Sequence, residues 1–265
     1  GYVCPPAYLA AKQAKIPIII HEANAKPGMA NRLGAVLTRP GRVGVTFPGT
    51  KLRGAELVGM PMPASIAELD RDDPSVRAAA RAALGLTDER PVLVVTGGSS
   101  GAQRINEAFQ GAAAACQAAG VQVLHITGAG KGEALREATA ELPDYHVVDY
   151  VDGMDKAYAA ADLLVARSGA ATVAEATVAG VPTIYVPLPI GNGEQRLNAA
   201  GSAEAGASQI IDNQAFTSAT VTDVVLPLLA DPDRLRGMSR AARALDYPTD
   251  AAATMAQITT TALRG

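Results

Sequence analysis

The feature that most constrains the fold is a regular alternation of short apolar runs and helical patterns that begins at Pro91. The runs Val92 to Thr96 and Val121 to Thr127 are followed by helical patterns at Gln103 to Ala119 and Glu133 to Leu142. This order is typical of βαβ units. Parallel strands covered by helices on both faces are continuously apolar, as the first run is. We therefore predict an α/β fold built on a parallel sheet.

The alternation extends over most of the chain. Further strand patterns lie at His146 to Tyr150, Leu163 to Ala166, Thr183 to Val186 and Gln209 to Ile211. Further helical patterns lie at Pro74 to Leu84, Ala170 to Ala179, Gln195 to Ala205, Asp231 to Ala244 and Thr249 to Leu263. Upstream, strand patterns at Ile16 to His21 and Arg42 to Phe47, with helical patterns at Ala7 to Ala14 and Met29 to Leu37, predict a second α/β unit. We expect that unit to begin before Gly1.

The segment Gly59-Met60-Pro61-Met62-Pro63 has the composition of a linker, because its two prolines fix φ and remove backbone donors. We place the domain boundary there. The predicted domains are residues 1–62, residues 63–247, and a C-terminal helix within residues 248–265 that packs back on the first domain.

Composition excludes several classes of protein. With 48% apolar and 18% charged residues, the 265-residue chain is an ordinary core-forming protein. Its apolar stretches, such as Pro182 to Pro187, are far shorter than the roughly 20 residues of a membrane-crossing helix. Only Cys4 and Cys116 are present, far apart, so we expect reduced thiols and a cytosolic location.

The charge is distributed unevenly. Residues 1–53 carry eight Lys or Arg against Glu22 alone, a net charge of +7, and the remainder is −10. The basic segment is either a solvated face without a partner or a surface that attracts an anionic lipid or a phosphorylated acceptor. Both interpretations remain open on charge alone.

Three loops are candidates for ligand binding, since each follows a predicted strand and precedes a predicted helix. Gly97-Gly98-Ser99-Ser100-Gly101 can present free amides to phosphate. Arg167-Ser168-Gly169 leads to Glu175, a carboxylate that can accept ribose hydroxyls, while Arg167 or the helix end can meet an anion. Gly191 to Gln195 offers amide and carboxylate groups for sugar hydroxyls. Together they predict a nucleotide-sugar site.

Two other kinds of glycine-rich site, a dinucleotide-binding loop and a P-loop, do not match the sequence. The first loop does not match G-x-G-x-x-G, and no acidic residue ends the next strand, which argues against a dinucleotide site. Gly128-Ala129-Gly130-Lys131-Gly132 lacks the Ser or Thr after Lys that a P-loop uses for magnesium. No Cys and His cluster has zinc spacing, so we expect no metal.

His21 and Glu22 follow a predicted strand and form a titratable pair at a sheet edge. His21 is the candidate general base, with Glu22 as a second catalytic candidate. The alternative is a His satisfied by a backbone partner beside a solvated Glu. We interpret His125 and His146 as structural.

Taken together, several motifs resemble the MurG family, the undecaprenyldiphospho-muramoylpentapeptide β-N-acetylglucosaminyltransferases. They are Gly1-Tyr2-Val3, His21-Glu22-Ala23-Asn24, Val58-Gly59-Met60-Pro61, Gly97 to Ala102, Arg167-Ser168-Gly169 with Thr172 and Glu175, and Gln195 with Asn198. The resemblance covers essentially the whole chain. It implies two Rossmann-like domains in the GT-B arrangement, the first incomplete here.

The resemblance also implies an activity. Such enzymes transfer N-acetylglucosamine from UDP-GlcNAc to lipid I with inversion, without a metal or other cofactor, and form lipid II at the cytoplasmic face of the bacterial membrane. The basic segment would then face an anionic membrane surface. Nucleic acid is not an expected partner.

The implied substrate-binding residues match the family position by position, together with the Arg167 and Ser168 loop. They are Asn24, Ser99, Val151, Arg167, Ser168, Ala170, Ala171, Thr172, Val173, Ala174, Glu175 and Gln195. By this match the Val151 backbone reads uracil and Glu175 takes the ribose hydroxyls. Thr172 and Gln195 hold the N-acetylglucosamine hydroxyls, which would reject epimers.

Two departures from the family pattern bear on activity. Pro63 stands where the family places an Arg that binds the donor, and the family's N-terminal Gly-rich loop would precede Gly1. Two alternatives therefore stay open: a UDP-GlcNAc 2-epimerase-like enzyme, and a donor-binding fragment without turnover.

Overall fold

The computed structural model describes residues 1–87, 90–98, 102–190 and 192–264. The chain forms two compact units, one of Gly1–Pro63 with Tyr247–Gly265 and the other of Ala64–Asp246. The sequence pattern placed these divisions after residues 62 and 247. The C-terminal segment thus belongs to the same unit as the N-terminal segment.

The first unit contains a small parallel sheet. Its elements up to residue 63 are α1 Cys4–Gln13, β1 Ile20–Glu22, α2 Met29–Leu37, β2 Val43–Val45 and β3 Ala55–Leu57. The strand order is β1-β2-β3, with Ile20 opposite Val43 and Val43 opposite Ala55. Ile18, Ile20, Ala35 and Val43 form the core cluster. β3 was not predicted, because its three residues, one half-buried and two exposed, carry no apolar run.

The second unit contains the remaining strands and most of the helices. In chain order they are α3 Ala64–Ala67, α4 Pro74–Ala83, β4 Val92–Thr96, α5 Gln103–Ala118, β5 Gln122–Ile126, α6 Glu133–Ala138, β6 Tyr145–Val148, α7 Met154–Ala160, β7 Leu163–Ala166, α8 Ala170–Val178, β8 Thr183–Tyr185, α9 Glu194–Glu204, β9 Ser208–Ile210, α10 Ser218–Thr220, a π-helical turn Val221–Val225, α11 Leu226–Leu229 and α12 Pro232–Arg243. The last helix, α13 Ala251–Arg264, belongs to the first unit.

The large sheet is parallel throughout, with strand order β6-β5-β4-β7-β8-β9. Every residue of β4, β5, β7 and β8 is buried, which is the consequence of helices covering both faces. Side chains of β4 and β7 pack against α5 in one continuous core. The predicted α/β class and parallel sheet are confirmed.

Several helical elements differ from the sequence pattern, and α3 and α7 were not predicted. α6 ends at Ala138 instead of continuing to Leu142, because the next amides bond three residues back, Ala140 to the Glu137 carbonyl at 3.4 Å and Leu142 to the Thr139 carbonyl at 2.9 Å. The helical stretch from Ser218 to Leu229 was not predicted. Pro227 lies within it and has no amide to donate, and π turns often interrupt helices at such points.

The C-terminal helix packs tightly within the first unit. A Cβ placed on Gly44 of β2 would lie 2.6 Å from Val58 Cγ2 and 2.8 Å from Met255 Sδ of α13. The Arg42 guanidinium donates to the Ala262 carbonyl at 3.4 Å. Glycine at position 44 is therefore what lets α13 approach the sheet. None of the described helices has both the length and the apolar content needed to cross a membrane.

Candidate nucleotide-sugar site

The topology of the large sheet determines where a ligand can bind. Successive strands β4, β5 and β6 extend the sheet in one direction, and β7, β8 and β9 extend it in the other. The loops that follow β4 and β7 therefore leave the sheet on opposite sides. This arrangement opens a crevice at the carboxyl ends of the two central strands, the favoured ligand position in open α/β sheets.

A cavity of about 190 Å³ occupies this edge of the sheet. Its walls come from the ends of β4 and β5, the segment after β6, and helices α7 and α8. The lining residues are Thr96, Gly98, Ile126, Asp149, Tyr150, Val151, Met154, Tyr158, Thr172 and Glu175. Three residues predicted from the sequence, Val151, Thr172 and Glu175, thus line one cavity.

Helix α8 presents Thr172 and Glu175 to the cavity because residues three apart lie on the same helical face. Glu175 Oε2 accepts a hydrogen bond of 2.9 Å from the Tyr158 hydroxyl. Burial raises the pKa of Glu175, and the bond from Tyr158 opposes that rise. Within the described parts of the chain no hydrogen bond reaches the second carboxylate oxygen, Oε1, which can accept hydroxyl groups from a ligand.

The register of α8 buries the side chains of Val173 and Ala174, whose assignment to substrate binding stays a prediction. Both side chains are buried in the core, and the Val173 amide donates to the Gly169 carbonyl at 3.0 Å. Neither side chain faces the cavity. Ala170 and Ala171 lie in the first turn, where Gly169 supplies no side-chain cap. Because the first amides of a helix have no intrahelical acceptor, this turn can receive a phosphate.

Arg167 has contacts that differ from those predicted. Its Nη1 donates to the Val186 carbonyl at 2.9 Å, to the Pro187 carbonyl at 3.3 Å and to Asn213 Oδ1 at 2.7 Å. Burial lowers the pKa of this guanidinium. Arg167 therefore braces the segments that follow β7, β8 and β9 and does not offer Nη1 to an anion.

The side chain of Ser168 is fully buried, and its Oγ has no hydrogen-bond partner within the described part of the chain. Its backbone carbonyl accepts a bond of 3.2 Å from the Asn198 amide of α9. The Ser168 hydroxyl is therefore enclosed by protein in this structure. The assignment of Ser168 to substrate binding stays a prediction.

Gln195 lies in the first turn of α9, after the loop that follows β8. Its Oε1 accepts a bond of 2.9 Å from the Leu188 amide, which closes the loop on itself. The amide nitrogen of Gln195 is the part of this side chain that can donate to a sugar oxygen. Gly191, in the same loop, lies outside the described residues.

The glycine-rich loop after β4 is described only at its start. Gly98 has φ +72°, a conformation that favours glycine, and its amide donates to Thr96 Oγ1 at 3.1 Å. Ser99, which the sequence analysis assigned to substrate binding, lies outside the described residues.

In the first unit, His21 lies in the middle of β1. Its Nε2 is 2.8 Å from the Gly59 carbonyl oxygen and 3.5 Å from Thr46 Oγ1. Since a carbonyl only accepts, Nε2 carries the proton, and Nδ1 is then the basic nitrogen of the neutral ring. One ring nitrogen of His21, Nε2, is therefore bonded to the backbone, and the other, Nδ1, is the nitrogen that can accept a proton.

Glu22 is not available for acid–base chemistry. Its side chain is 4% exposed, and its two oxygens accept bonds from the Asn24 amide at 2.9 Å, the Gly28 amide at 3.0 Å and Asn31 Nδ2 at 3.0 Å. This corrects its assignment as a catalytic candidate. Glu22 instead holds the loop that carries Asn24, a half-buried residue, in place at the end of β1.

His125 lies in β5, fully buried, as a structural residue. Its Nδ1 is 2.9 Å from the Tyr145 hydroxyl, and its Nε2 is 3.0 Å from Asn106 Oδ1. Burial lowers its pKa to about 3, so the ring is neutral at physiological pH. His146 lies in β6 and is half-buried.

Comparison with known families agrees with this architecture. A model of the glycosyltransferase family 28 C-terminal domain matches residues 92–255, and a model of the family 28 N-terminal domain matches residues 1–39. The first match alone covers more than half of the chain. The chain belongs to glycosyltransferase family 28.

Within family 28, the chain is a member of the MurG family. It is 53% identical over 247 residues to a UDP-N-acetylglucosamine--N-acetylmuramyl-(pentapeptide) pyrophosphoryl-undecaprenol N-acetylglucosamine transferase of Paenarthrobacter aurescens (strain TC1), covering 92% of this chain and 65% of that protein. A relative of the same name from Mycolicibacterium smegmatis is 48% identical over 263 residues, covering 97% of this chain and 67% of the relative. The chain thus spans about two thirds of the length of these relatives.

Solved structures confirm the GT-B fold of this MurG family chain. The Acinetobacter baumannii MurG crystal structure matches with a TM-score of 0.79 and 29% identity, over 98% of this chain and 71% of that chain. A UDP-GlcNAc 2-epimerase from Neisseria meningitidis, solved bound to UDP-GlcNAc, matches with a TM-score of 0.64 at 14% identity, over 98% and 73%. The second likeness concerns the fold alone.

Sequence reasoning found Val151 in the segment after β6 but missed the cavity wall contributed by α7. Met154 and Tyr158 lie four residues apart on one face of α7, a spacing that was a usable signal. Their neighbours in α7 are mostly alanines, and no helix was predicted at Met154–Ala160.

Proposed function

We propose that this MurG family chain transfers N-acetylglucosamine from UDP-GlcNAc to lipid I, undecaprenyl-diphospho-muramoylpentapeptide, and forms lipid II with inversion at the sugar carbon. The observation that carries the proposal is the cavity at the carboxyl edge of the large sheet, lined together by Val151, Thr172 and Glu175. The names of the relatives at 48–53% identity support the choice of donor and acceptor.

In this proposal the second unit binds the donor. The Val151 backbone reads the uracil edge, and Glu175 accepts the ribose hydroxyls. The first turn of α8, at Ala170 and Ala171, receives a phosphate of the diphosphate. Thr172 and the Gln195 amide bond the N-acetylglucosamine hydroxyls. Because Pro63 replaces a family Arg, the helix terminus carries a larger share of the phosphate binding.

The chemistry assigned to the first unit is removal of the acceptor proton. The muramoyl hydroxyl oxygen attacks the anomeric carbon, the bond from that carbon to the UDP oxygen breaks, and UDP departs with the electron pair. His21 is the proposed base and takes the hydroxyl proton on Nδ1, since Nε2 is held by the Gly59 carbonyl. Fixed dipoles at the α8 terminus stabilise the charge that develops on UDP.

A calorimetric titration with UDP-GlcNAc, UDP-GalNAc and UDP tests the donor assignment. We expect binding of UDP-GlcNAc and UDP, with UDP-GalNAc weaker because its 4-hydroxyl is inverted and leaves a buried polar group unpaired. A folded chain that binds none of the three ligands contradicts the proposed donor site.

Substitutions in the cavity test whether its side chains bind the donor. We expect Glu175→Ala and Gln195→Ala to weaken donor binding, each by roughly tenfold, since each removes hydrogen bonds to the ligand. Glu141→Ala, at an exposed turn away from the cavity, is the matched control and should bind normally. Unchanged affinity in both site variants would sink the assignment.

Transfer of radiolabelled N-acetylglucosamine to a lipid I analogue tests the complete reaction. Product formation supports the transferase and excludes a fragment that only binds donor. Formation of UDP-N-acetylmannosamine without acceptor would instead identify an epimerase, which the likeness of fold to the Neisseria enzyme makes a specific alternative. The high identity to named transferases favours the first outcome.

We also infer that the first unit contacts the anionic cytoplasmic face of the cell membrane as a peripheral protein. A cleft of about 370 Å³ in this unit is lined by four cationic residues, Lys12, Lys15, Arg39 and Arg42. An exposed apolar side chain, Ile16 at 59% exposure, lines the same cleft. Cations beside exposed apolar groups favour an anionic lipid surface.

Vesicle binding tests this membrane contact. We expect the chain to sediment with phosphatidylglycerol vesicles and not with phosphatidylcholine vesicles. A double reversal, Lys12→Glu with Arg39→Glu, should abolish this binding. Lys51→Glu with Arg53→Glu changes the net charge equally outside the cleft, and equal loss in both variants would show only a general charge effect, contrary to the inference.

A further inference from the structure

Tyr158 has a polar contact that the proposed reaction does not yet use. Its side chain is 1% exposed, and its hydroxyl donates to Glu175 Oε2 at 2.9 Å on the wall of the donor cavity. Among the described residues, this is the hydrogen bond that the Glu175 carboxylate receives. A buried hydroxyl that points at a ligand-binding carboxylate can determine how that carboxylate is oriented.

We propose that Tyr158 is a positioning residue for recognition of the ribose, holding the Glu175 carboxylate so that it accepts ribose hydroxyls. This inference rests on the proposed donor function of the cavity.

A glutamate carboxylate without a fixed partner rotates freely. The terminal torsion of Glu is broad, so an unrestrained carboxylate samples many orientations. The bond from Tyr158 fixes the position of Oε2, which leaves Oε1 and the remaining lone pair of Oε2 directed to the cavity. A preorganised acceptor loses less entropy when a hydroxyl pair binds.

The hydrogen bond has a fixed direction. Burial raises the pKa of Tyr158 well above its usual value, and the nearby Glu175 contributes to the rise. Tyr158 therefore remains a donor across the physiological range, and Glu175 remains the acceptor.

A buried arginine fixes the two helices that carry this pair. Arg71 Nε donates to the Tyr158 carbonyl at 2.8 Å, and its Nη1 donates to the Gly180 carbonyl, just beyond α8, at 2.7 Å. Its Nη2 donates to the Ala161 carbonyl at the end of α7. Burial lowers the pKa of Arg71 to about 10, so it is charged at neutral pH. The ends of α7 and α8 are thus joined through one side chain.

The test is a thermodynamic cycle that combines one substitution in the protein with one change in the ligand. Calorimetry measures the affinity of each of the two proteins for each of the two ligands. Tyr158→Phe removes only the hydroxyl, and 2′-deoxy-UDP removes one ribose hydroxyl from UDP. We expect Tyr158→Phe to weaken UDP roughly tenfold, the effect of one hydrogen bond to a charged group. The affinity for 2′-deoxy-UDP should change by less than about twofold, because its interaction with Glu175 is already reduced.

Tyr145→Phe is the matched control. It removes a buried hydroxyl that contacts His125 in the same unit and does not line the cavity. The preference of this variant for UDP over 2′-deoxy-UDP should equal that of the unsubstituted chain. A general loss of packing in Tyr158→Phe would weaken both ligands equally, and that result overturns the inference.

The remaining outcomes also decide between the two proposals. Equal affinity of the unsubstituted chain for UDP and 2′-deoxy-UDP, or an unchanged preference in Tyr158→Phe, overturns the positioning role while the donor site stands. Failure of the unsubstituted chain to bind UDP at all is the distinct result that removes the donor site itself.

Discussion

The buried histidine of the large sheet makes the stability of the second unit depend on pH in a calculable way. His125 is fully buried, and its Nε2 donates to Asn106 Oδ1 while its Nδ1 accepts from the Tyr145 hydroxyl. A second proton on Nδ1 would face that hydroxyl without water to solvate the charge. Burial accordingly lowers the pKa of His125 from 6.5 to about 3.

The sign of the effect follows from proton uptake. Below pH 6.5 the unfolded chain protonates His125, whereas the folded chain keeps the ring neutral until pH falls to about 3. The unfolded state therefore binds more protons in this window, and the free energy of unfolding falls as the pH falls. Between pH 7.5 and pH 5.0 the loss from this one group is about 2 kcal/mol.

Urea unfolding at pH 7.5 and pH 5.0, followed by circular dichroism, measures the loss. The comparison is with His125→Gln, whose amide can still donate to Asn106 but does not titrate. We expect the unsubstituted chain to lose about 2 kcal/mol more than the variant over this interval. His21 and His146 are present in both proteins and cancel in the difference.

An equal loss in both proteins would refute the reasoning, because His125 would then titrate alike in the folded and unfolded states. If His125→Gln does not fold, the imidazole NMR signals of the unsubstituted chain decide. A His125 signal that titrates near pH 6.5 in the folded protein contradicts the burial argument.

Three further predictions follow from single contacts. Gly44→Ala should destabilise the first unit by about 1–3 kcal/mol, because its Cβ overlaps side chains of the sheet and of α13, whereas Gly28→Ala has open space; thermal unfolding of both variants checks this. Glu22→Gln should lower the free energy of unfolding by roughly 1–3 kcal/mol and reduce the hydrogen-exchange protection of the Asn24 and Gly28 amides, which donate to the carboxylate. Substitution of an exposed glutamate, Glu56→Gln, should do neither, and equal protection of these amides in both variants would contradict the prediction. UDP affinity should decline on acidification with a midpoint above 4.5, since burial raises the pKa of Glu175 and the ionised form accepts the hydroxyls; calorimetry should show no such decline for Glu175→Gln.

Some of the site could be read from the sequence and some could not. Glu175 was predicted because local patterns place a strand, a short loop and a helix in succession. A carboxylate in the helix after such a loop lies near the edge of the sheet where ligands bind. Tyr158 was missed because its partner lies 17 residues away on another helix. Local patterns do not report which faces of two helices meet.

The corrected assignments have the same cause. Glu22 and Arg167 carry charges of the kind that active sites use, and the sequence gives no indication of whether those charges are already satisfied. In the structure, the Glu22 oxygens accept three hydrogen bonds, and the two hydrogens of Arg167 Nη1 are shared among three acceptors, while Arg167 Nε has no partner among the described residues. A buried charge requires such partners, so burial itself determined that these residues organise loops.

The sequence by itself determined the α/β class and the parallel strands, because apolar runs of strand length and helical periodicity are local properties. It also predicts a linker at Gly59 to Pro63, since proline restricts the backbone wherever it occurs. Tertiary structure alone decided the strand order, the crevice between β4 and β7, and the pairing of Tyr158 with Glu175. These depend on contacts between residues distant in the chain, and such contacts exist only once the helices pack on the sheet.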